Sequence, residues 1–350
     1  MKFGIALPIQ GRVSGVKAII DTANRVEKLG LDSAWVYDVP LNRESYQSYS
    51  VCGSIDGISP NKDPDIYEPL TTLSYLAGTT NSIKLGTCVL RLPDYNPIVL
   101  AKQAANMDVI SGGRLIFGVA IGAIGESGRS ESEARSIPYA QRGSIFDEYI
   151  AAVREIWSKP KSSFHGRYVN FSDLEIYPKP VNPKIYVGTG LSEKGIRRVA
   201  KYGDGWLPSH TLTPDEIEGG IKRIRDEAKA LGRSGFSGFD VIPRTYLCIG
   251  SSREEAWNVA SNTLQSRLRK LSGAVGSREL EFKQKLGLPK NYTEESRALI
   301  GTEADVVNGI EKYRKAGIDH LGFYCIFTGG VDNLFELIET LARNIIPSFR

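Results

Sequence analysis

The stretch KFGIALP (residues 2–8), followed by GVKAIIDTANRVEKLG (15–30) and SAWVYD (33–38), decides the fold. The first piece is an apolar run of strand length. The second repeats apolar residues at helical spacing until Gly30 closes it. The third is a second apolar run, and it ends on an acid, Asp38. Strand, amphipathic helix, strand is the repeating unit of a parallel sheet.

The same unit recurs along the chain. EPLTTLSYLAGTT reads as a helix, IKLGTCVL as the third strand and PIVLAKQAANMDVIS as its helix. RLIFGVAIG is a fourth strand, trailed by a polar loop and the helix QRGSIFDEYIAAVREIWS. FHGRYVNFSDLEIYPKP interrupts the rhythm as a hairpin. KIYVGTG, GWLPS and DVIPRTYLCIG then supply strands five to seven, each with a helix behind it, the last running from Arg253 to about Lys270. Residues 272–299 read as a charged, partly helical insertion. EADVVNGIEKYRKAG leads into an eighth strand, HLGFYCIF, and a last helix ends near Asn344. Eight such units predict an α/β chain folded as one (β/α)8 TIM barrel over residues 1–350, with insertions after strands 2, 4 and 7. A doubly wound open sheet is the alternative, and the lack of a composition break favours closure.

Composition removes other classes. Apolar residues make up 41% and charged residues 24%, an ordinary soluble balance. The net charge of +4 comes from interspersed Lys and Arg, which argues against a nucleic-acid surface. There is no apolar run of about 18 residues, so no membrane helix is expected. The opening MKFGIALPIQGR reads as a mature strand rather than a signal peptide. Cys52, Cys88, Cys248 and Cys325 are widely spaced, and three lie in apolar runs, as expected of buried thiols in a reducing cytoplasm. The three histidines lack metal-ligand spacing, so no zinc site is expected.

In a barrel the chemistry sits where strands end and βα loops begin. That rule selects Asp38, Cys88-Val89, Gly118 to Gly128, Gly188-Thr189-Gly190, Ser209-His210 and Cys325 to Phe327. Gly188, Thr189 and Gly190 lead straight into a helix at Ser192, and bare amides at a helix start suit a phosphate. Lys194, Arg197 and Arg198 would add charge; a plain βα turn with a solvated basic face would read the same way. GVAIGAIGESG lacks both a Walker lysine and a GxGxxG fingerprint. His210 is the only histidine at the functional mouth, since His320 starts strand 8 and His165 belongs to the hairpin. It suits proton transfer or an anionic substrate, or else is an ordinary loop histidine. Glu126 is a candidate acid over the mouth, or a solvated loop residue.

The order of VEKLGLDSAWVYD, EPLTTLSYLAGTTNSIKLGT, NPIVLAKQAANMDVISGGRLIFGV, RGSIFDEYIAAVREIW, KIYVGTGLSEKGIRRVAKYGDGW and GTEADVVNGIEKYRKAGIDHLGF resembles the bacterial luciferase-like superfamily. That group holds flavin-dependent monooxygenases and oxidoreductases of the deazaflavin coenzyme F-420. The resemblance implies a ring in the barrel mouth, Asp38 beside it, and a non-prolyl cis bulge at Cys88-Val89 behind it. It implies a phosphate near Gly188, Thr189, Gly190 and Ser192; on the hydride-transfer reading Ser209, His210 and Glu126 face the substrate. YDVPLNRESYQSY is similar to the strand 2 loop of methylenetetrahydromethanopterin reductases, which favours coenzyme F-420 over FMN. Many relatives carry a histidine directly after the strand 2 acid, whereas this chain has Val39, which cannot transfer a proton. Ala123 stands where some deazaflavin enzymes place an acid, and Glu126 follows three residues later. The reading is hydride transfer between a deazaflavin and a small organic substrate. Its alternatives are an FMN monooxygenase fed by a partner flavin reductase, and a non-catalytic flavin-binding protein. A cytoplasmic homodimer is the expected assembly.

Overall fold

The computed structural model describes residues 1–11, 13–38, 65–122, 125–233, 236, 238–260 and 298–350, with residues 125–127 by backbone only. Strand β1 (Lys2–Ala6) is hydrogen-bonded in parallel to β2 (Ser33–Val36), with Ile5 opposite Ala34. The order then runs through β3 (Lys84–Thr87), β4 (Leu115–Ala120), β5 (Ile185–Thr189) and β6 (Gly205–Pro208), all parallel. On its other edge β1 meets β8 (His320–Cys325), which pairs with β7 (Arg244–Ile249).

The circuit closes through one broken strand. Asp240–Val241 pairs with β6, and after a step at Ile242-Pro243 the chain continues as β7 beside β8. Ile242 N–H donates to the Trp206 carbonyl at 3.0 Å, and Gly322 N–H donates to the Pro243 carbonyl at 2.9 Å. Proline cannot donate to a ladder, so the break falls where its missing N–H does no harm. This closure is the barrel and excludes the open sheet.

The helices follow in the expected places: α1 (Val16–Lys28), α2 (Pro69–Thr79), α3 (Pro97–Ile110), α4 (Gly125–Ala134), α5 (Arg142–Ser158), α6 (Glu193–Tyr202), α7 (Pro214–Ala230), α8 (Glu303–Lys315) and α9 (Val331–Thr340). Two of them start on the same signal. Glu68 and Asn96 each accept N–H bonds from the first turn, and a proline follows at the first helical position. Trp35 fills the barrel interior, while Trp206, Phe3, Phe117 and Phe323, also fully buried, pack on the outer face of the sheet against the helices and the C-terminal segment. Gly86 faces the Trp35 ring so closely that a Cβ would overlap it.

Four local expectations are corrected. The third strand stops at Thr87, and Leu90–Arg91 forms a separate short strand on β4. The polar run after strand 4 contains helix α4, anchored by the buried Glu131 and Ser132. The seventh strand is the broken one just described. Leu299 belongs to a strand, Leu299–Gly301, that pairs with the end of β7, and not to the insertion. The hairpin is present as Ser162–His165 against Asn170–Leu174. The loop after strand 2 (39–64), with Val39, and residues 261–297, which hold the end of the helix expected from Arg253 to about Lys270 and most of the 272–299 insertion, lie outside the described residues. Cys88, Cys248 and Cys325 are buried free thiols, while Cys52 lies outside the described residues. No described helix is long and apolar enough to cross a membrane, and no metal-binding group of side chains occurs among the described residues.

Candidate active site

The carboxyl end of β2 delivers Asp38 into a nearly buried ion cluster. Asp38 Oδ2 accepts from the Arg91 backbone N–H at 3.1 Å and from the Tyr95 hydroxyl at 3.2 Å, and lies 3.5 Å from Arg91 Nε. Arg91 also reaches Asp94 at 3.2 Å and bonds Glu131 of α4. Arg135 adds a second cation, 3.6 Å from Asp94 and 3.9 Å from Glu131. Burial alone would weaken the charge on Arg91, but the Asp38, Asp94 and Glu131 carboxylates reverse this and push its pKa up. Burial drives the Asp94 carboxyl up against the pull of Arg91 and Arg135. One cation thus ties the end of β2, the segment after β3 and helix α4 into one rim.

The peptide Cys88–Val89, just past β3, is cis. Its Cys88 N–H donates to the Val36 carbonyl at 2.7 Å, which docks the bulge on the end of β2. The Val89 side chain lies against β5: a Cβ on Gly188 would sit 2.7 Å from Val89 Cγ1 and 3.4 Å from the Ala120 Cβ. Gly188 therefore makes room for the bulge, a reason for glycine that has nothing to do with an anion.

Below the bulge, Cys88 Sγ lies 3.8 Å from the Tyr324 hydroxyl on β8, which accepts from Arg244 Nε on β7 at 3.3 Å. Tyr324 is the hub of an aromatic group. Its ring lies 6.3 Å from Tyr37, 5.8 Å from Tyr246 and 6.1 Å from His210, and His210 is edge-on to Tyr246 at 5.5 Å. Burial pushes both the Cys88 thiol and the Tyr324 phenol up, so both are protonated at neutral pH. The group is polar but, among the described residues, carries no acid. Three strands and one loop converge here, and they can hold a flat aromatic guest on edges and faces.

At the start of α6, the Ser192 hydroxyl caps Gly195 N–H at 3.2 Å. A Cβ on Gly190 would meet nothing within 4 Å, so this turn opens to space in front of a ten-residue helix. Thr189 is held through its backbone, its carbonyl accepting from Ser209 N–H and Trp206 Nε1–H, both at 3.1 Å. The neighbouring arginines do not serve this turn: Arg198 pairs with Asp147 at 2.7 Å and Arg197 with Glu227 at 3.2 Å. Ser209 shares a 2.8 Å hydroxyl contact with Thr211.

The structure thus gathers Asp38, Cys88, Val89, Gly188 and His210 around one end of the barrel, with Thr189, Gly190, Ser192 and Ser209 on the adjoining β5 and β6 loops. Glu126 falls in the first turn of α4, and its side chain is outside the described residues. His320 lies at the opposite end, bonded to Ser33 at 2.8 Å; burial, then Lys2, hold its pKa down to about 3. His165 bonds Asn170 at 3.0 Å within the hairpin. Sequence reasoning missed Arg91, Glu131, Tyr324 and Arg244. Only the arginine in the otherwise apolar PRTYLCIG run was a signal, since an arginine in a buried strand needs a reason.

Comparison with known proteins fits this geometry. The family profile described as luciferase-like monooxygenase matches residues 1–320. An uncharacterized protein of Mycobacterium bovis is 31% identical over 170 residues, covering 48% of this chain, which spans 58% of that protein's length. An F420-dependent glucose-6-phosphate dehydrogenase of Amycolatopsis mediterranei is 31% identical over 356 residues, covering 96% of this chain and 95% of the relative. Among solved structures, an F420-dependent secondary alcohol dehydrogenase superposes with a TM-score of 0.74 at 19% identity, covering 100% of this chain and 99% of the other. A Pseudomonas putida type II Baeyer-Villiger monooxygenase in complex with FMN gives 0.74 at 16% identity with the same coverage. The chain belongs to the luciferase-like monooxygenase family of oxidoreductases.

Proposed function

We propose that the protein transfers a hydride between coenzyme F-420 and a small organic substrate. The observation that carries this reading is the joint placement of the Cys88–Val89 bulge, the aromatic group around Tyr324 and the open Gly190 turn at one barrel end. The residues present fit the cofactor: a flat apolar backing from Val89, and free space before a helix N-terminus for a phosphate. Bound there, the deazaflavin supplies the hydride chemistry. The chain's own residues then orient and shield. Val89 backs the ring, Gly188 lets that bulge stand where it does, and Thr189, Gly190 and Ser192 hold the phosphate. Asp38 contacts the cofactor from a fixed position, because two hydrogen bonds, from the Arg91 backbone N–H and the Tyr95 hydroxyl, and an ion pair with Arg91 leave its carboxylate little freedom. Ser209 and His210, with Glu126, face the substrate.

Hydride transfer requires stacking, distance and exclusion of water more than a protein base. A substrate that is already an iminium or an activated alkene suits a site with Val39 after the acid. The full-length dehydrogenase relative does not change this assignment of class, since a sugar-phosphate alcohol would need a proton acceptor.

The test is anaerobic turnover of reduced coenzyme F-420 against a panel of imines, activated alkenes and ketones, followed by its absorbance. Oxidation of the coenzyme with an imine or alkene supports the reading. Oxygen-dependent turnover with FMN and a partner flavin reductase, and none with the deazaflavin, would establish the monooxygenase instead. Binding without turnover of either would leave a flavin-binding protein. G188V should crowd Val89 and weaken cofactor binding about tenfold or more, with the fold retained by circular dichroism; unchanged affinity would remove the bulge from the site.

A further inference from the structure

Glu131 carries a cost that nothing above explains. It is 3% exposed, and while one oxygen bonds Arg91 Nη1, the other, Oε1, is buried with no hydrogen-bond partner among the described residues. A buried carboxylate left half unmatched destabilises the fold, and native structures keep such a group where it serves another purpose. The arginine it holds is divided. Arg91 gives Nη1 to Glu131, while its Nε lies 3.2 Å from Asp94 and 3.5 Å from Asp38. The Arg91 side chain thus meets Asp38 only at a long contact, although the two are already adjacent: the Arg91 backbone N–H donates to the same Asp38 oxygen at 3.1 Å. A guanidinium beside a carboxylate favours a forked pairing with two parallel N–H···O bonds, the strongest arrangement open to it. Glu131 stands in the way of that fork. Its own place is fixed from α4, where Arg135 donates to the Glu131 carbonyl at 3.0 Å and the Ser132 hydroxyl donates to the Gly128 carbonyl at 2.7 Å.

We infer that Glu131 is a positioning residue that withholds Arg91 from Asp38, so that the Asp38 carboxylate stays open to accept a hydrogen bond from the bound cofactor. The inference rests on the proposed contact between Asp38 and the cofactor. Without the Glu131 charge, Arg91 turns Nη1 onto Asp38, both prongs close on one carboxylate, and that acceptor is occupied inside the protein. Glu131 acts through Arg91 and not by contact with the ligand. The cluster holds the carboxylates of Asp38, Asp94 and Glu131 against the guanidiniums of Arg91 and Arg135. Removing the Glu131 charge therefore leaves two of each sign and strands no buried ion.

The test is titration of oxidised coenzyme F-420, followed by absorbance and fluorescence, into wild type, E131Q, D38N and E131Q/D38N. E131Q should weaken binding about tenfold, the worth of one hydrogen bond to a charged acceptor. D38N should weaken it as much or more. In the double variant E131Q should add less than about twofold, because the charged acceptor it acts on is gone. A residue that merely docks α4 would give losses that multiply. If E131Q does not fold, E131A, which leaves room for water, decides the same question. If the double variant does not fold, E131Q/R91K replaces it: a lysine cannot fork, so the E131Q loss should again shrink below about twofold. Unchanged binding in E131Q or D38N, or multiplying losses in the double variant, overturns the inference while the cofactor reading stands. Tighter binding in E131Q, the result of simple charge relief beside an anionic ligand, overturns it as well. Wild type that does not bind the coenzyme overturns both.

Discussion

Two arginines line the inside of this barrel end, and they are treated in opposite ways. Arg91 is surrounded by Asp38, Asp94 and Glu131 and shares two of them with Arg135. Arg244 has a tyrosine, a thiol and an indole face, and no acid among the described residues. The first is a closed account in which the charges satisfy one another. Such a cluster fixes the relative position of β2, the bulge segment and α4. The second is an open valence. Among the described residues, three carboxylates surround the first arginine and none the second.

The contrast can be broken most sharply at Arg91. R91M leaves three carboxylates together in a poorly hydrated pocket, and removing one partner of a buried pair typically costs about 3–5 kcal/mol. Urea denaturation should show a loss of that order, whereas R244M should show little or none. Equal losses at the two positions would erase the distinction between a paired and an unpaired buried arginine.

A smaller effect comes from His320 at the far end. Its folded pKa is depressed to about 3 from the model-peptide 6.5, so the native state holds it neutral. The unfolded chain takes up a proton below pH 6.5 that the native chain refuses. Stability from this group is therefore complete above that pH and falls on acidification, by up to about 1.4 kcal/mol per pH unit until pH 3. H320Q should flatten the acid limb of the stability profile between those values. An unchanged slope would mean that other groups dominate acid unfolding.

The smallest effect is expected at Glu27, which acts on backbone rather than on charge. Its carboxylate accepts from the N–H groups of Asn81, Ser82 and Ile83 at 2.6 to 3.1 Å, which holds its pKa near 2 despite the opposing effect of burial. E27Q keeps the shape and loses the charge-assisted part, about 1 kcal/mol at neutral pH. That difference should vanish as the pH drops through the folded value, where the wild-type carboxyl is protonated too. A loss as large as that of R91M would show that exposed and buried carboxylates are not being distinguished here.

Much of the barrel was legible because each βα unit announces itself locally. Apolar runs such as SAWVYD and KIYVGTG have strand length, and Gly30 and Gly203 close the helices between them. The same rule put Asp38, Gly188 and His210 at one end of the barrel, and the structure places them there. What stayed hidden depends on register and on contacts between distant segments. Cys88, Arg244 and Tyr324 are scattered in the chain and meet only because β7 and β8 pair with Tyr246 opposite Tyr324. Glu131 read as loop because GESGRSESEA has no apolar stripe; its helix is held by the buried ion pair to Arg91, a contact invisible without the fold. Arg197 and Arg198 follow the glycine turn in sequence, which leaves a phosphate and a plain basic face equally open, but helical spacing turns them toward Glu227 and Asp147 on neighbouring helices.

The central claim is that this barrel end is built for a deazaflavin. It is tested most directly by titrating the purified protein with oxidised coenzyme F-420 and, separately, with FMN, and following the absorption and fluorescence of each. The account predicts saturable quenching and a spectral shift with coenzyme F-420 at micromolar or lower concentration, weaker binding of FMN, and loss of the deazaflavin signal in G188V. Tight FMN binding with no response to coenzyme F-420 would contradict it.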